Sequence, residues 1–433
     1  MYVCKPWLSI LLDTQRLASA AVCSVLAGRN LSVVLQAVWH NNPRLVPQQR
    51  AAIQDISYGT LRHLGRIQAI LDQLLDKPLR DEALRCLVLT SLYQLQYSKS
   101  ATYAIVDHAV QTAVTIKQGH AKGLVNAVLR NFVRRRESIL VSLENKEVAR
   151  YSHPQWWINK LKAQYPDHWQ AMLETNNQHP PMTLRVNCKL SSTDAYLSRL
   201  QQNNIAAIAL GGAALQLLQP VSVDKLPGFA DGDVSVQDWG AQFAATQLDV
   251  QDGMRVLDAC SAPGGKTTHL LELADVDMTA VDNDPERLQK VGQNLKRLKL
   301  GAQLIAGDVA QPDKWWNGQQ FDRILADVPC SASGVVRRHP DIKWLRREPD
   351  ILKFAEQQRK ILGALWHCLT RGGKLLYVTC SVFDEENGAQ IDAFLKQNQD
   401  AKRLPLVEMV PANGQLIPND QHDGFYYALL AKD

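Results

Sequence analysis

Leu84, Leu87, Val88, Leu92 and Leu95 recur at the spacing of one helix face, and Asp81 and Glu82 stand before them as an acidic first turn. A second stripe, Leu124, Val125, Val128, Leu129 and Phe132, runs through Asn131 into the triplet Arg134, Arg135 and Arg136. No segment from about 13 to 150 alternates with the period of a strand, so residues 1–150 are expected to form an all-α domain. The pattern changes over residues 151–235. Trp and Pro gather at His153 to Trp157, and prolines again between Gln178 and Met182. A short strand, Met182 to Val186, an amphipathic helix near Asp194 to Leu200 and further short strands predict a small α+β connector.

From residue 236 to 433 apolar runs alternate with helical stripes. Strands are expected at Met254–Asp258, Met278–Asp282, Gln303–Ile305, Arg323–Asp327 and Lys374–Val378. Helices are expected at Lys266–Ala274 and Pro285–Leu298. Such alternation predicts a doubly wound, mostly parallel α/β sheet with helices on both faces, whose ligands sit beyond the C-terminal strand ends.

The chemistry should therefore lie at those ends. The first strand runs into Asp258-Ala259-Cys260-Ser261-Ala262-Pro263-Gly264-Gly265-Lys266-Thr267-Thr268. Two glycines allow a ligand close to the backbone, and the following helix offers free N–H groups. The run ends like a P-loop, but Cys260 stands where that motif needs its first glycine, which disfavours an NTPase. No GxGxxG fingerprint is present either. Asp282, 18 residues after Gly264, is placed to accept from ribose hydroxyls, and Gly307-Asp308 to meet a base edge. Each such acid alone could equally cap a turn. Asp282, Asp308 and Asp327 in register point to a nucleoside-containing cofactor without a long polyphosphate.

The fourth and fifth strands end Asp327-Val328-Pro329-Cys330-Ser331 and Thr379-Cys380-Ser381. A cysteine within a strand is ordinarily a small core residue. These two follow their apolar runs and are flanked by small polar residues, which predicts exposure at one sheet edge. A thiolate adding to carbon 6 of cytosine makes carbon 5 enamine-like and able to accept a methyl group. Asp327 could face the ring edge that gains charge, and a second thiol could assist as base or relay. A helix after Cys380 could favour its thiolate, weakened by the intervening residues. The residues alone leave Cys330 and Cys380 open as nucleophile.

Composition narrows the setting. The 433-residue chain has a net charge of +5, but residues 1–150 carry 19 Lys and Arg against 10 Asp and Glu, so the excess belongs to the N-terminal third. That suits a polyanion-binding module, or a solvated basic surface. The triplet Arg134–Arg136 could simply favour a helix C-terminus. A second basic run, Arg337, Arg338, Lys343, Arg346 and Arg347, follows the Cys330 loop and would position a nucleic-acid strand. Trp344 within it reads as a structural tryptophan before a stacking platform. The eight cysteines form no C-x-x-C pair or zinc-spaced cluster. Free thiols in a reducing cytoplasm are expected, with no metal. The apolar stretch Leu17–Gly28 is too short to span a bilayer, and Asp13 breaks any signal-peptide core.

The runs from Asp258, Asp327 and Thr379 resemble the NOL1/NOP2/Sun family of RNA cytosine-C5 methyltransferases. Gly334-Val-Val-Arg-Arg-His-Pro-Asp-Ile-Lys-Trp344 looks like its bacterial small-subunit rRNA branch, and Lys122-Gly-Leu-Val-Asn-Ala-Val-Leu-Arg130 is similar to the antitermination factor NusB. The resemblance implies a NusB-like N-terminal RNA-binding domain, an RNA-recognition-like connector and a class I Rossmann-like methyltransferase domain. It implies S-adenosylmethionine as cofactor, held by Ala259, Cys260, Ser261, Ala262, Pro263, Gly264, Gly265, Asp282, Asp308 and Asp327, with Arg287 also fitting the pattern. It makes Cys380 the nucleophile and Cys330 the aid to product release, with Asp327 catalytic. The substrate expected is 16S rRNA, free or in a partly assembled small subunit, and the protein a monomer. Ser261 and Val328 stand where the family more often has alanine. The competing class is a non-catalytic RNA-binding factor with a retired domain, which the two intact cysteine motifs and glycine turn argue against. Binding of S-adenosylmethionine would separate the two.

Overall fold

The computed structural model describes residues 6–117, 121–407 and 409–433. The chain divides into two compact units. One comprises residues 1–178 and 336–348, the other 179–335 and 349–433.

The first unit is helical: α1 (Pro6–Leu26), α2 (Leu31–Asn41), α3 (Pro47–Arg62), α4 (Leu64–Leu74), α5 (Glu82–Tyr97), α6 (Thr102–Lys117), α7 (Lys122–Leu143), α8 (Glu147–Tyr151), α9 (Gln155–Gln164) and α10 (Trp169–Thr175). Asp81 caps α5 by accepting from Leu84 N at 3.0 Å, as its place before the apolar stripe predicts. Leu87, Val88, Leu92, Val125, Leu129 and Phe132 share one core with Val22, Ile53 and Ile67. Helical structure continues past the boundary expected at 150, and α8–α10 belong to this unit.

Two readings of basic residues change here. The triplet Arg134–Arg136 lies in mid-helix, because α7 continues to Leu143, so a helix-terminus role falls away. Arg136 instead donates to Gln96 O and Oε1, both at 3.0 Å, satisfying a carbonyl in the last turn of α5. In the basic run 337–347, Arg337 and Lys343 are not at the surface, Arg338 and Arg346 are half-buried and Arg347 is exposed. Val336–Glu348 packs in the helical unit, where α15 (Ile342–Leu345) sits. Arg337 is 1% and Lys343 0% exposed. Lys343 Nζ donates to Arg62 O and Asn177 Oδ1, both at 2.8 Å, and burial holds its pKa well below the usual lysine range. Trp344 Nε1 donates to Leu61 O at 2.7 Å, in keeping with a structural tryptophan. The apolar spacing of Val336, Ile342 and Leu345 outweighed the charges between them.

The second unit holds two sheets. In the smaller, β1 (Met182–Val186), β2 (Ala207–Gly211), β3 (Ala214–Leu217) and β4 (Val234–Val236) pair antiparallel in the order β2-β3-β1-β4, with α11 (Thr193–Gln202) on its core. The larger contains β5 (Arg255–Ala259), β6 (Asp277–Asp282), β7 (Gln303–Ala306), β8 (Phe321–Asp327), β9 (Leu369–Thr379), β10 (Ala401–Leu404), β11 (Gln415–Leu416) and β12 (Phe425–Lys432). Its order is β10-β12-β9-β8-β5-β6-β7, with β11 pairing β12. Strands β5 to β9 are mutually parallel, and β12 is antiparallel to β9. The helices are α12 (Trp239–Leu248), α13 (Gly265–Leu273), α14 (Pro285–Leu298), α16 (Glu348–Cys368) and α17 (Gly388–Gln397). This is the Rossmann-like arrangement expected, with an antiparallel C-terminal addition the apolar runs had not indicated. Five parallel strands in the order β9-β8-β5-β6-β7 thus bring Cys380, Asp327, Ala259, Asp282 and Asp308 to one sheet edge. No helix among the described residues is long and apolar enough to cross a membrane. Cys4 lies outside the described residues; the other seven cysteines are free thiols.

Candidate active site

The turn after β5 is shaped by its backbone. Cys260 has φ of +64° and Gly264 of +97°, both left-handed. At Gly264 only hydrogen fits comfortably, since a Cβ would lie 3.1 Å from Val291 Cα and Cγ1 on α14. The turn then feeds α13, whose first carbonyl, Gly265 O, accepts from Arg185 Nη1 at 2.7 Å. Arg185, wholly buried on β1, also grips both carboxylate oxygens of Glu272, at 2.9 and 2.7 Å, and Thr268 Oγ1 at 3.0 Å. A fully buried guanidinium is tolerable only with such complete pairing. The small sheet is thereby tied to the helix that follows the glycine turn.

Asp282, at the end of β6, is 2% exposed. Its Oδ2 accepts from Ala262 N and its Oδ1 from Asp284 N, each at 3.0 Å. These bonds use two of about four acceptor positions on a carboxylate, so capacity for a ligand remains. Arg287 fixes the same turn by donating to Ala262 O at 2.8 Å, and lies 3.8 Å from Asp282 Oδ1. Gly307 N donates to Asp282 O at 3.0 Å, which sets the end of β7 beside that of β6. Asp308 itself is exposed and caps its own turn, accepting from Ala310 N at 3.0 Å and Gln311 Nε2 at 2.7 Å.

Among the described residues, two buried atoms here have no hydrogen-bond partner: Asp258 Oδ1 and Ser261 Oγ. An unsatisfied buried polar atom is costly unless a ligand completes it. The turn therefore fits a ligand bearing hydrogen-bond donors. Burial pushes the Asp258 carboxyl up to about 7, opposed by the bond from Thr267 Oγ1 at 2.6 Å. Asp258 opens the motif quoted above, yet its role escaped the sequence reading, which assigned the cofactor site from Ala259 onward.

The ends of β8 and β9 meet in a different way. Cys330 Sγ and Cys380 Sγ are 3.3 Å apart. Cys380 is half-buried, whereas Cys330 is 9% exposed, contrary to the expectation that both would be open. The bond to Cys380, reinforced by burial, raises the Cys330 pKa well above the usual thiol value, so Cys330 holds its proton. The chain after Cys380 first passes through a 3-10 turn at Asp384–Glu386, and α17 begins only at Gly388.

Lys266 Nζ donates to Asp327 Oδ2 at 2.6 Å. Burial alone would lower the lysine's pKa, but the Asp327 charge and hydrogen bond outweigh it and the net shift is upward, so the ammonium persists. Cys380 also interacts electrostatically with Lys266. Sequence reasoning used Lys266 only to test a P-loop; its distance from Cys330 and Cys380 along the chain concealed the connection.

Residues 245–431 match the model for the 16S rRNA methyltransferase RsmB/F family, residues 153–224 its ferredoxin-like domain, and residues 13–134 the NusB family. A Vibrio cholerae protein named ribosomal RNA small subunit methyltransferase B is 44% identical over 98% of this chain and 99% of its own. The chain belongs to the RsmB/F family. The Pasteurella multocida RsmB protein is also 44% identical, over 98% of this chain and 97% of its own. The crystal structure of PH0851 shares the fold, with a TM-score of 0.80 over 97% of this chain and 99% of that one at 22% identity. Membership in RsmB/F agrees with the resemblance carried by the Asp258, Asp327 and Thr379 motifs, and with the NusB-like N terminus.

Proposed function

We propose that this chain methylates carbon 5 of a cytosine in small-subunit (16S) rRNA through a covalent bond between Cys380 and carbon 6 of the base. S-adenosylmethionine, when bound, supplies the methyl group as a sulfonium. The observation that carries the reading is the 3.3 Å approach of two thiols beside the Lys266–Asp327 pair.

Cys380 is the nucleophile in this reading. Its sulfur bonds carbon 6, and the electron pair of the ring double bond becomes available at carbon 5. The Lys266 ammonium, held in place by the Asp327 carboxylate, opposes the negative charge that develops along the N3–O2 edge of the base. Cys330 retains its proton while it is bonded to Cys380. Once the Cys380 sulfur is committed to carbon, its hydrogen bond and charge no longer act on Cys330, while burial and Glu386 still do, and Cys330 ionises by passing its proton to solvent. It then takes the proton from methylated carbon 5. The electron pair re-forms the ring double bond, the bond from sulfur to carbon 6 breaks, and Cys380 leaves as thiolate.

Ala259 to Gly265, Asp282 and Asp308 form the cofactor side, with Asp258 Oδ1 and Ser261 Oγ able to accept or complete ligand bonds. The helical unit supplies RNA affinity through Lys122, Arg130, Arg134 and Arg135, which are exposed on α7. Such contacts are sequence-tolerant and salt-sensitive. The protein acts as a monomer in the cytoplasm, on free rRNA or a partly assembled subunit. The test is to supply labelled S-adenosylmethionine with 16S rRNA or immature small subunits and to map the label. Label as 5-methylcytosine at a defined position is expected; cofactor binding with no label on cytosine would overturn the reading.

A further inference from the structure

The two thiols sit on loops from different strands, and sulfur–sulfur contact is too weak to hold them together. The residue after each thiol is a serine, and both serines reach the same side chain. Ser331 Oγ and Ser381 Oγ each donate to Glu386 Oε2 at 2.5 Å. Ser331 N donates to Glu386 Oε1 at 2.8 Å, and Gln358 Nε2 to the same oxygen at 3.1 Å. Ser333 Oγ lies 3.1 Å from Ser331 Oγ and 3.0 Å from Ser381 Oγ, and accepts from Val382 N at 2.9 Å. Glu386 and all three serines are 0% exposed.

Backbone bonds run alongside. Gly334 N donates to Cys380 O at 2.9 Å, and Asn387 Nδ2 donates to Ser381 O at the same distance. A carboxylate buried among neutral donors is costly to place and strongly directional once placed. Surface solubility has no use for it there. Its four donors span both cysteine loops and the helix α16.

We propose that Glu386 is a positioning residue that sets the contact between Cys330 and Cys380, acting through Ser331 and Ser381. It touches neither base nor cofactor. Its effect falls on the steps that need both thiols at once, which rests on the reaction proposed above. Glu386→Gln keeps the volume but removes the charge to which both hydroxyls donate; they can turn to accept from its amide N–H₂ only in weaker neutral bonds, so both anchors loosen and the thiols separate. Methyl transfer should slow in kcat, by roughly tenfold or more as expected for loss of a hydrogen bond to a charged group. KM for S-adenosylmethionine should not move, because the ends of β5 to β7 make no bond to Glu386. A general loss of fold would move both.

A second readout needs no RNA. Diamide, a two-electron dithiol oxidant, takes two electrons and two protons from the thiols, forming one disulfide and its own hydrazine. In the full-length wild-type protein the disulfide should join Cys330 to Cys380, as peptide mapping would show. Glu386→Gln should form it about tenfold more slowly, by the same hydrogen-bond argument. Ser381→Ala should slow it too, and the double variant should add little, because both changes break one link. If Glu386→Gln fails to fold, Ser381→Ala carries the same test alone. Unchanged cross-linking and unchanged kcat in the variants would overturn the proposal, as would a wild-type protein that forms no Cys330–Cys380 bond. If cross-linking slows as expected but no cytosine is methylated by the wild type, the clamp stands and the proposed reaction fails.

Discussion

The two halves of the sheet edge are built on opposite plans. At the ends of β5 and β6 the polar groups are left incomplete. Asp258 Oδ1 and Ser261 Oγ are buried without partners, and Asp282 has acceptor capacity to spare. At the ends of β8 and β9 hydrogen bonds are abundant, with four donors on one carboxylate and three serines bonded to one another. A diffusible ligand must complete its own site, so unmet hydrogen-bond capacity belongs there. Two reacting groups on separate loops must be held before the substrate arrives, so the second half is saturated internally. In the reaction proposed above, that difference would separate binding from chemistry along a single edge.

Substitutions should respect that division. The largest effect is expected for Cys380→Ala, which should abolish methyl transfer while S-adenosylmethionine affinity stays near wild type; calorimetry and labelled transfer measure the two. Substantial turnover would move the nucleophile to Cys330. Asp282→Ala should do the reverse. It removes a nearly buried carboxylate from the ligand side and should weaken cofactor binding by about 10- to 100-fold, the cost of roughly 1.5–3 kcal/mol for a hydrogen bond to a charged group. The thiol cross-link should be unaffected, since Asp282 has no bond to that corner.

Asp258→Asn acts on stability rather than on turnover, with a defined pH dependence. Burial raises the Asp258 pKa to about 7 in the folded chain, above its ordinary value of 3.8. Below both values the acid is neutral in both states and the substitution should change little. Between pH 4 and 7 the unfolded chain sheds its proton and the folded chain keeps it, so wild-type stability falls as pH rises. The asparagine variant should escape that fall. Its advantage should grow across this window and level off above pH 7, at about 4 kcal/mol for a shift of this size. Thermal melts of the ligand-free protein at pH 4.5 and 8 would measure it, and a pH-independent difference would mean that Asp258 ionises freely in the fold.

Much of this was legible in the chain. The five parallel strands follow from apolar runs of the right length, and α14 begins and ends where its Asp284-Pro285 start and Leu298 predict. The strand-end residues follow because a parallel sheet places its ligands at one edge. The remainder depends on contacts distant in sequence. Glu386 belongs to Asp384-Glu385-Glu386, and nothing in that run indicates Ser331, 55 residues away, against it. Lys343 and Trp344 read as part of a basic surface until the carbonyls of Arg62 and Leu61 are found accepting from them. Cys330 looked exposed because its neighbours are small and polar, but those serines face inward to Glu386 and carry the thiol in with them. Local pattern identifies elements; burial of charge is decided by partners that local pattern does not contain.

The central claim is that the two thiols have separate roles, attack and release. Cys330→Ala tests it most directly. With Cys380 intact, attack on carbon 6 continues while release is slowed, so incubation with rRNA and S-adenosylmethionine should accumulate a protein–RNA species that survives denaturant. The same species should be absent when Cys380 is also replaced. A Cys330→Ala protein that turns over normally with no trapped RNA, or an adduct that persists without Cys380, would contradict the account.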